Sequence, residues 1–149
     1  NRGAVFNGFS AVKLGEIYEV RRLLEVEATR KATLRIDRQV LQDLLKDTRQ
    51  LRKAHMDDED WNLDRRIHTA IADFCGNAML AHDIGRFSAL VQAIRMTVGA
   101  QVHVQAETTK QHLELLEAMT NEDPKAAANA MHRHLVAAEK SAVTAIAEW

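Results

Sequence analysis

The sequence predicts an all-α protein, an antiparallel bundle of about six or seven helices. Three observations lead there. Proline occurs once and aromatic residues make up only 5% of the 149 residues, while Ala, Leu, Glu, Arg and Lys dominate, a composition that favours helix over sheet. From residue 11 onward, apolar residues recur at helical spacing. Turn and cap residues interrupt that pattern at helix-length intervals.

The elements follow in order. Residues 1–10, NRGAVFNGFS, hold two of the six glycines and the apolar cluster Ala4-Val5-Phe6. They read as a short strand and a linker. A first helix is expected over about 11–34, with Leu14, Ile17, Val20, Leu24 and Ala28 facing inward. A second spans about 37–54, with Asp37 as N-cap and Val40, Leu41, Leu44, Leu45 and Leu51 buried. A third begins in Asp57-Asp58-Glu59-Asp60, where acids suit the positive end of the helix dipole, and stops at Gly76-Asn77. A fourth covers about 78–99, with a break expected near Gly85. A fifth covers about 101–120. The sixth starts at Asp123-Pro124, an N-cap followed by proline at the first helical position, and runs to about 147. Short connections between amphipathic helices make an antiparallel bundle.

Charge and cysteine content narrow the function classes. A net charge of -1 argues against a chain that binds nucleic acid by itself, since phosphate neutralisation needs a positive excess. The single cysteine, Cys75, excludes an internal disulfide and suits a reducing compartment. No apolar run approaches the length of a membrane span, and no signal peptide opens the chain, so a cytoplasmic location is expected.

Seven histidines remain, at 55, 68, 82, 103, 112, 132 and 134. Residues three, four and seven apart share a helix face. His68 shares one with Asp64, Ile71 and Cys75; His112 with Leu115, Leu116 and Met119; His134 with Ala127, Ala130, Met131, Ala137 and Ala138. These three point inward, from three different helices. His132 faces solvent, His55 sits by a polar turn, and His82 and His103 fit either side. A lone inward histidine is ordinarily a core residue with one local hydrogen bond. Three of them beside an inward Asp64 admit a second reading, because an unpaired buried carboxylate is costly. A divalent cation held by Asp64, His68, His112 and His134 removes that cost. Spacing alone leaves both readings open. The same sorting puts Arg21 on the inner stripe with Ile17, Leu24 and Ala28, and groups Arg22 with Tyr18 and Glu25. An inward arginine pairs with an acid, here Glu25 one turn on, or awaits an anionic ligand.

Three stretches carry a resemblance: GEIYEVRRLLEVEATRKA, DRRIHTAIADFCGNAML and HLELLEAMTNEDPKAAANAMHRHL. They resemble the FCD domain, the C-terminal ligand-binding domain of the FadR-type branch of GntR bacterial transcription regulators, over about residues 11–148. The shared features are an Asp-x3-His helix closed by a small-Gly-Asn turn, and two later histidines 22 residues apart. The resemblance implies a helical bundle whose metal-containing members hold a divalent ion through one Asp and three His, which fall here on Asp64, His68, His112 and His134. Carboxylate plus imidazole ligands suit zinc or nickel first, with manganese, iron or cobalt as alternatives, and the resemblance implies a small carboxylate effector beside the ion, held by Arg21 and Arg95. It also implies that residues 1–10 are the remnant of a winged-helix wing strand and linker, with 11–149 as the effector domain. Operator DNA would then be read by an N-terminal winged helix-turn-helix outside this chain, in a homodimer.

Two rivals come from other classes. A metal with open positions can activate water, with Glu25 or Asp73 as the base, which would make the bundle a hydrolase-like enzyme. The pair His82-Asp83 resembles that of the HD phosphohydrolases, without their flanking His and Asp. The Glu-x-x-His tetrad of a di-iron centre is absent. The second rival is a metal-free ligand or interaction module on the same bundle.

Overall fold

The structure, a computed structural model, describes residues 10–54, 57–98 and 102–147, with the side chains of 54, 57–61, 97–98 and 102–106 outside the description. The strand read at the N-terminus, His55, and the side chains of His103 and of Asp57–Asp60 lie outside the described residues. Six helices follow one another: α1 (Ala11–Ala32), α2 (Arg38–Ala54), α3 (Asp57–Phe74), α4 (Ala78–Val98), α5 (Val102–Thr120) and α6 (Pro124–Ala147).

Their starts are set by side-chain caps, which satisfy backbone N–H groups that a first helical turn leaves unpaired. The Ser10 hydroxyl accepts from the Lys13 N–H. Asp37 Oδ1 accepts from Gln39 and Val40, Asn77 Oδ1 from Leu80, and Asp123 Oδ1 from Ala126. The turn after α3 depends on Gly76, at φ 77°. There Arg35 Nη1 donates to the Cys75 carbonyl at 2.6 Å, and a Cβ on residue 76 would meet that same nitrogen at 2.1 Å. Gly76→Ala is therefore expected to destabilise the chain by roughly 2 kcal/mol, from the left-handed backbone and the displaced guanidinium. Urea melts of parent and variant check this. An unchanged midpoint would mean that the turn tolerates a side chain.

Gly85 does not break α4, which runs unbroken from Ala78 to Val98. A mid-helix glycine costs about 1 kcal/mol, and burial of Ile84, Val91 and Ile94 on the same helix outweighs it. The first helix also differs from expectation. Tyr18 and Glu25, grouped with Arg22 by spacing, are 0% and 1% exposed, whereas Leu24 is only half-buried. The reason is tertiary: α1 packs against α6, α3 and α4, so far more than one stripe of it is covered. Arg22 reaches sideways to Glu139 of α6. On the far side, α5 packs against α6, α2 and α3. Both α1 and α6 bury alanines, among them Ala28, Ala32, Ala127 and Ala130. Among the described residues, no helix is long and apolar enough to cross a membrane.

Candidate metal centre

Three helices bring their chemistry to one point. The middle of α3 is anchored by Leu63, Ile67 and Ile71, all buried. This anchoring turns Asp64 and His68, one helical turn apart, into the bundle. Leu115, Leu116 and Met119 do the same for His112 on α5, and Met131, Leu135 and Ala138 for His134 on α6. His68, His112 and His134 are 3%, 0% and 1% exposed. The carboxylate and the three imidazoles each bring one donor atom to the cluster, all within 4.8 Å of one another.

The distances are short and specific. Asp64 Oδ1 lies 3.1 Å from His112 Nε2, 3.6 Å from His68 Nε2 and 3.8 Å from His134 Nε2. His68 Nε2 and His134 Nε2 are 3.2 Å apart. A four-coordinate ion with bonds of about 2.1 Å separates neighbouring donors by about 3.4 Å, so these spacings match donors around one cation. Asp64 Oδ1 and His112 Nε2 are buried and each lacks a hydrogen-bond partner; their close approach is off the line that a hydrogen bond needs.

Partners on the outer ring nitrogens orient two of the histidines. His68 Nδ1 contacts Glu25 Oε1, and His134 Nδ1 lies 3.0 Å from Gln111 Oε1. Both oxygens can only accept, so both Nδ1 atoms carry hydrogen, and the two Nε2 atoms face each other. Lone pairs at that distance require a proton or a cation between them. This is the arrangement that commonly supports histidine ligands to metals. Sequence spacing missed both partners. Glu25 was grouped with the outer face of its helix, and Gln111 stands next to His112 in the chain, so no shared-face argument selects it.

The charges are balanced along a chain of contacts. Arg21 Nε donates to Glu25 Oε2 at 2.7 Å, with both side chains buried, the pairing that the sequence offered for an inward arginine. Burial by itself would raise the Glu25 pKa, but Arg21 and His68 overcome it and hold the group at about 2. Burial would lower that of His68, yet Glu25 and Asp64 push it up to about 9. Burial also opposes ionisation of Asp64, and His68, His112 and Arg95 override it, keeping the carboxyl well below its usual range. His134 is held well below the usual histidine value, first by burial and then by the neighbouring histidines. Arg95 of α4 stands 3.5 Å from Asp64 Oδ2 and 3.4 Å from the Tyr18 hydroxyl.

Beside this cluster a cavity of about 390 Å³ opens between α3 and α4. Asp64, His68, Arg21 and Arg95 are among the residues that line it. All six site residues named from the sequence therefore meet in one place: the four candidate ligands as a cluster and the two arginines on the cavity wall beside it. His82 is exposed on the surface next to Asp83, far from forming a buried pair, and His132 is exposed as expected.

The family model described as the FCD domain matches residues 16–137. The chain is similar in fold to the metal-free FCD domain of TM0439, a proposed transcriptional regulator, with a TM-score of 0.83 at 16% identity over 95% of this chain and 99% of that one. It is similar to the Zn2+-bound form of the same domain with a TM-score of 0.79, again at 16% identity and the same coverage. Streptococcus agalactiae GntR aligns with a TM-score of 0.69 at 24% identity, over 86% of this chain and 58% of that one. This chain thus spans little more than half of that regulator. No curated protein matches it.

Proposed function

The chain belongs to the FCD domain family, and from that premise we propose that it is the effector-sensing domain of a GntR-type transcription regulator of the FadR branch. Asp64, His68, His112 and His134 hold a divalent ion, zinc or nickel before manganese, iron or cobalt. When bound, the ion supplies positive charge and an open coordination position for a small carboxylate. Arg21 and Arg95 add charge on the wall of the cavity and orient the effector. The observation that carries this reading is the buried Asp64 Oδ1, without a hydrogen-bond partner and within 3.8 Å of three imidazole nitrogens. The two known states of the TM0439 domain, metal-free and Zn2+-bound, support a fold that exists with and without its ion.

The effector acts by differential affinity for two arrangements of the bundle. Operator DNA is contacted by an N-terminal winged helix-turn-helix, and a palindromic operator implies a homodimer. The reading is of a sensor in the cytoplasm, not a catalyst: of the two bases a hydrolase could use, Glu25 and Asp73, the one beside the cluster, Glu25, is already engaged by Arg21 and His68.

Elemental analysis tests the centre. About one divalent ion per chain is expected after purification with zinc or nickel, and none in the Asp64→Ala, His134→Ala double variant. A parent that stays metal-free after incubation with zinc, nickel and manganese would overturn the metal-anchored reading in favour of a metal-free ligand module.

A further inference from the structure

A cation in the cluster accounts for one nitrogen of His112 and leaves the other without a partner. The His112 side chain is 0% exposed, and among the described residues neither of its ring nitrogens has a hydrogen-bond partner. Nε2 lies 3.1 Å from Asp64 Oδ1, in the group of donors that an ion would gather. A neutral imidazole that gives Nε2 to a metal carries its hydrogen on Nδ1. For His112 that hydrogen is buried with no acceptor, and such a group is unfavourable.

The other two histidines differ. His68 Nδ1 contacts a carboxylate, Glu25 Oε1, and Glu25 is fixed in turn by Arg21. His134 Nδ1 lies 3.0 Å from an amide oxygen, Gln111 Oε1. The three rings thus form a series: an ionic acceptor behind His68, a neutral one behind His134, none behind His112. An acceptor behind a ligand imidazole fixes its orientation and raises its basicity, and a charged acceptor does so more strongly than a neutral one. Position follows the same division. Asp64 and His68 line the cavity between α3 and α4, and His112 is not among its lining residues. The bundle does not depend on the weakest member of the series either, because α5 is tied to α6 next door through Gln111 and His134.

We propose that His112 is the yielding ligand of the centre: Asp64, His68 and His134 hold the ion, and the bond to His112 is the one that gives way when the ion shifts or leaves. This rests on the metal-centre reading above and deepens it. Three donors braced or charged, and one unbraced, make an ion that is firmly sited yet exchangeable. They also make α5 the helix on which a displacement of the ion is first felt, since α3 brings two donors and α6 a braced one.

The test is zinc affinity, measured by competition with a chromogenic chelator, for the parent and for His68→Ala, His134→Ala and His112→Ala. His112→Ala is expected to weaken zinc about tenfold, and the other two about a hundredfold or more. Equal losses at the three positions, or the largest loss at His112, would overturn the proposal. A second measurement uses the unaltered zinc-loaded chain, so that it does not depend on how a variant folds. In its nitrogen-15 NMR spectrum the ring N–H protons of His68 and His134 are expected far downfield, as hydrogen-bonded protons are, and that of His112 is not. A His112 proton as far downfield as the other two would reveal an acceptor behind the ring and overturn the proposal. Failure of the parent to bind zinc would instead strike the metal-centre reading itself.

Discussion

Glu25→Gln is expected to lower the melting temperature by roughly 10 °C and weaken zinc binding at least about tenfold. Glu25 is 1% exposed and carries two contacts, Arg21 Nε at 2.7 Å and His68 Nδ1. Its carboxyl is held at about 2, so it is a full negative charge at any ordinary pH. Glutamine keeps the shape and can still accept from one neighbour. It leaves the Arg21 guanidinium, 4% exposed, facing a neutral amide. Removing one partner of a buried pair costs about 3 kcal/mol or more, because the remaining charge is uncompensated. In a domain of this size each kcal/mol shifts the midpoint by about 2–4 °C. The zinc effect arises separately. The carboxylate raises the basicity of the His68 ring and fixes its tautomer, and losing such a partner typically costs 10–100-fold in affinity. Thermal melts of the zinc-free variant isolate the first effect, and competition with a chromogenic chelator measures the second. A midpoint within about 2 °C of the parent would mean that water from the cavity solvates Arg21. Unchanged zinc affinity would mean that His68 is oriented by packing alone.

Removing the ion from the parent is expected to lower its melting temperature by about 5–10 °C. A ligand present at a hundred times its dissociation constant stabilises the native state by about 2.7 kcal/mol, and the same conversion gives the shift. His134→Ala should melt at one temperature with and without chelator, because Asp64, His68 and His112 alone hold the ion about a hundredfold more weakly. Differential scanning calorimetry of parent and variant, with and without chelator, measures this. A parent indifferent to chelation would show that the four donors form a core cluster satisfied by protons.

How much of this was legible in the sequence differs from helix to helix. Asp64, His68, His112 and His134 could be sorted inward because each sits among apolar residues at three- and four-residue spacing, and that geometry is purely local. The Arg21–Glu25 pair was readable from its four-residue spacing alone. Helix α1 was harder: covered by three neighbours, it buries Tyr18 and Glu25 as well as the inner stripe, and no single-stripe pattern encodes that. Gly85 misled because helix propensity is weak against the tertiary burial of Ile84 and Val91. Gln111 was invisible for a different reason: it matters through His134, which it meets across the bundle, and a single helix does not record that. The helix boundaries were legible wherever a cap residue marks them, as at Asp37, Asn77 and Asp123.

The donor set also has a bearing on how long the domain lasts. His68 and His134 meet at 3.2 Å across 66 residues of chain, joined by Asp64 of the same helix as His68, by His112 of α5 and by Glu25 of α1. No fragment of the bundle reproduces that meeting, so a chain in which α6 has come away from α1 has lost the centre as well. An ion held there is a clasp on the last helix, and opening the bundle requires its release. Proteases that act on transiently opened states sample the population of that open form. If the centre holds an ion as proposed, scarcity of that ion would shorten the life of the domain, and the supply of metal would set how much of the folded chain persists.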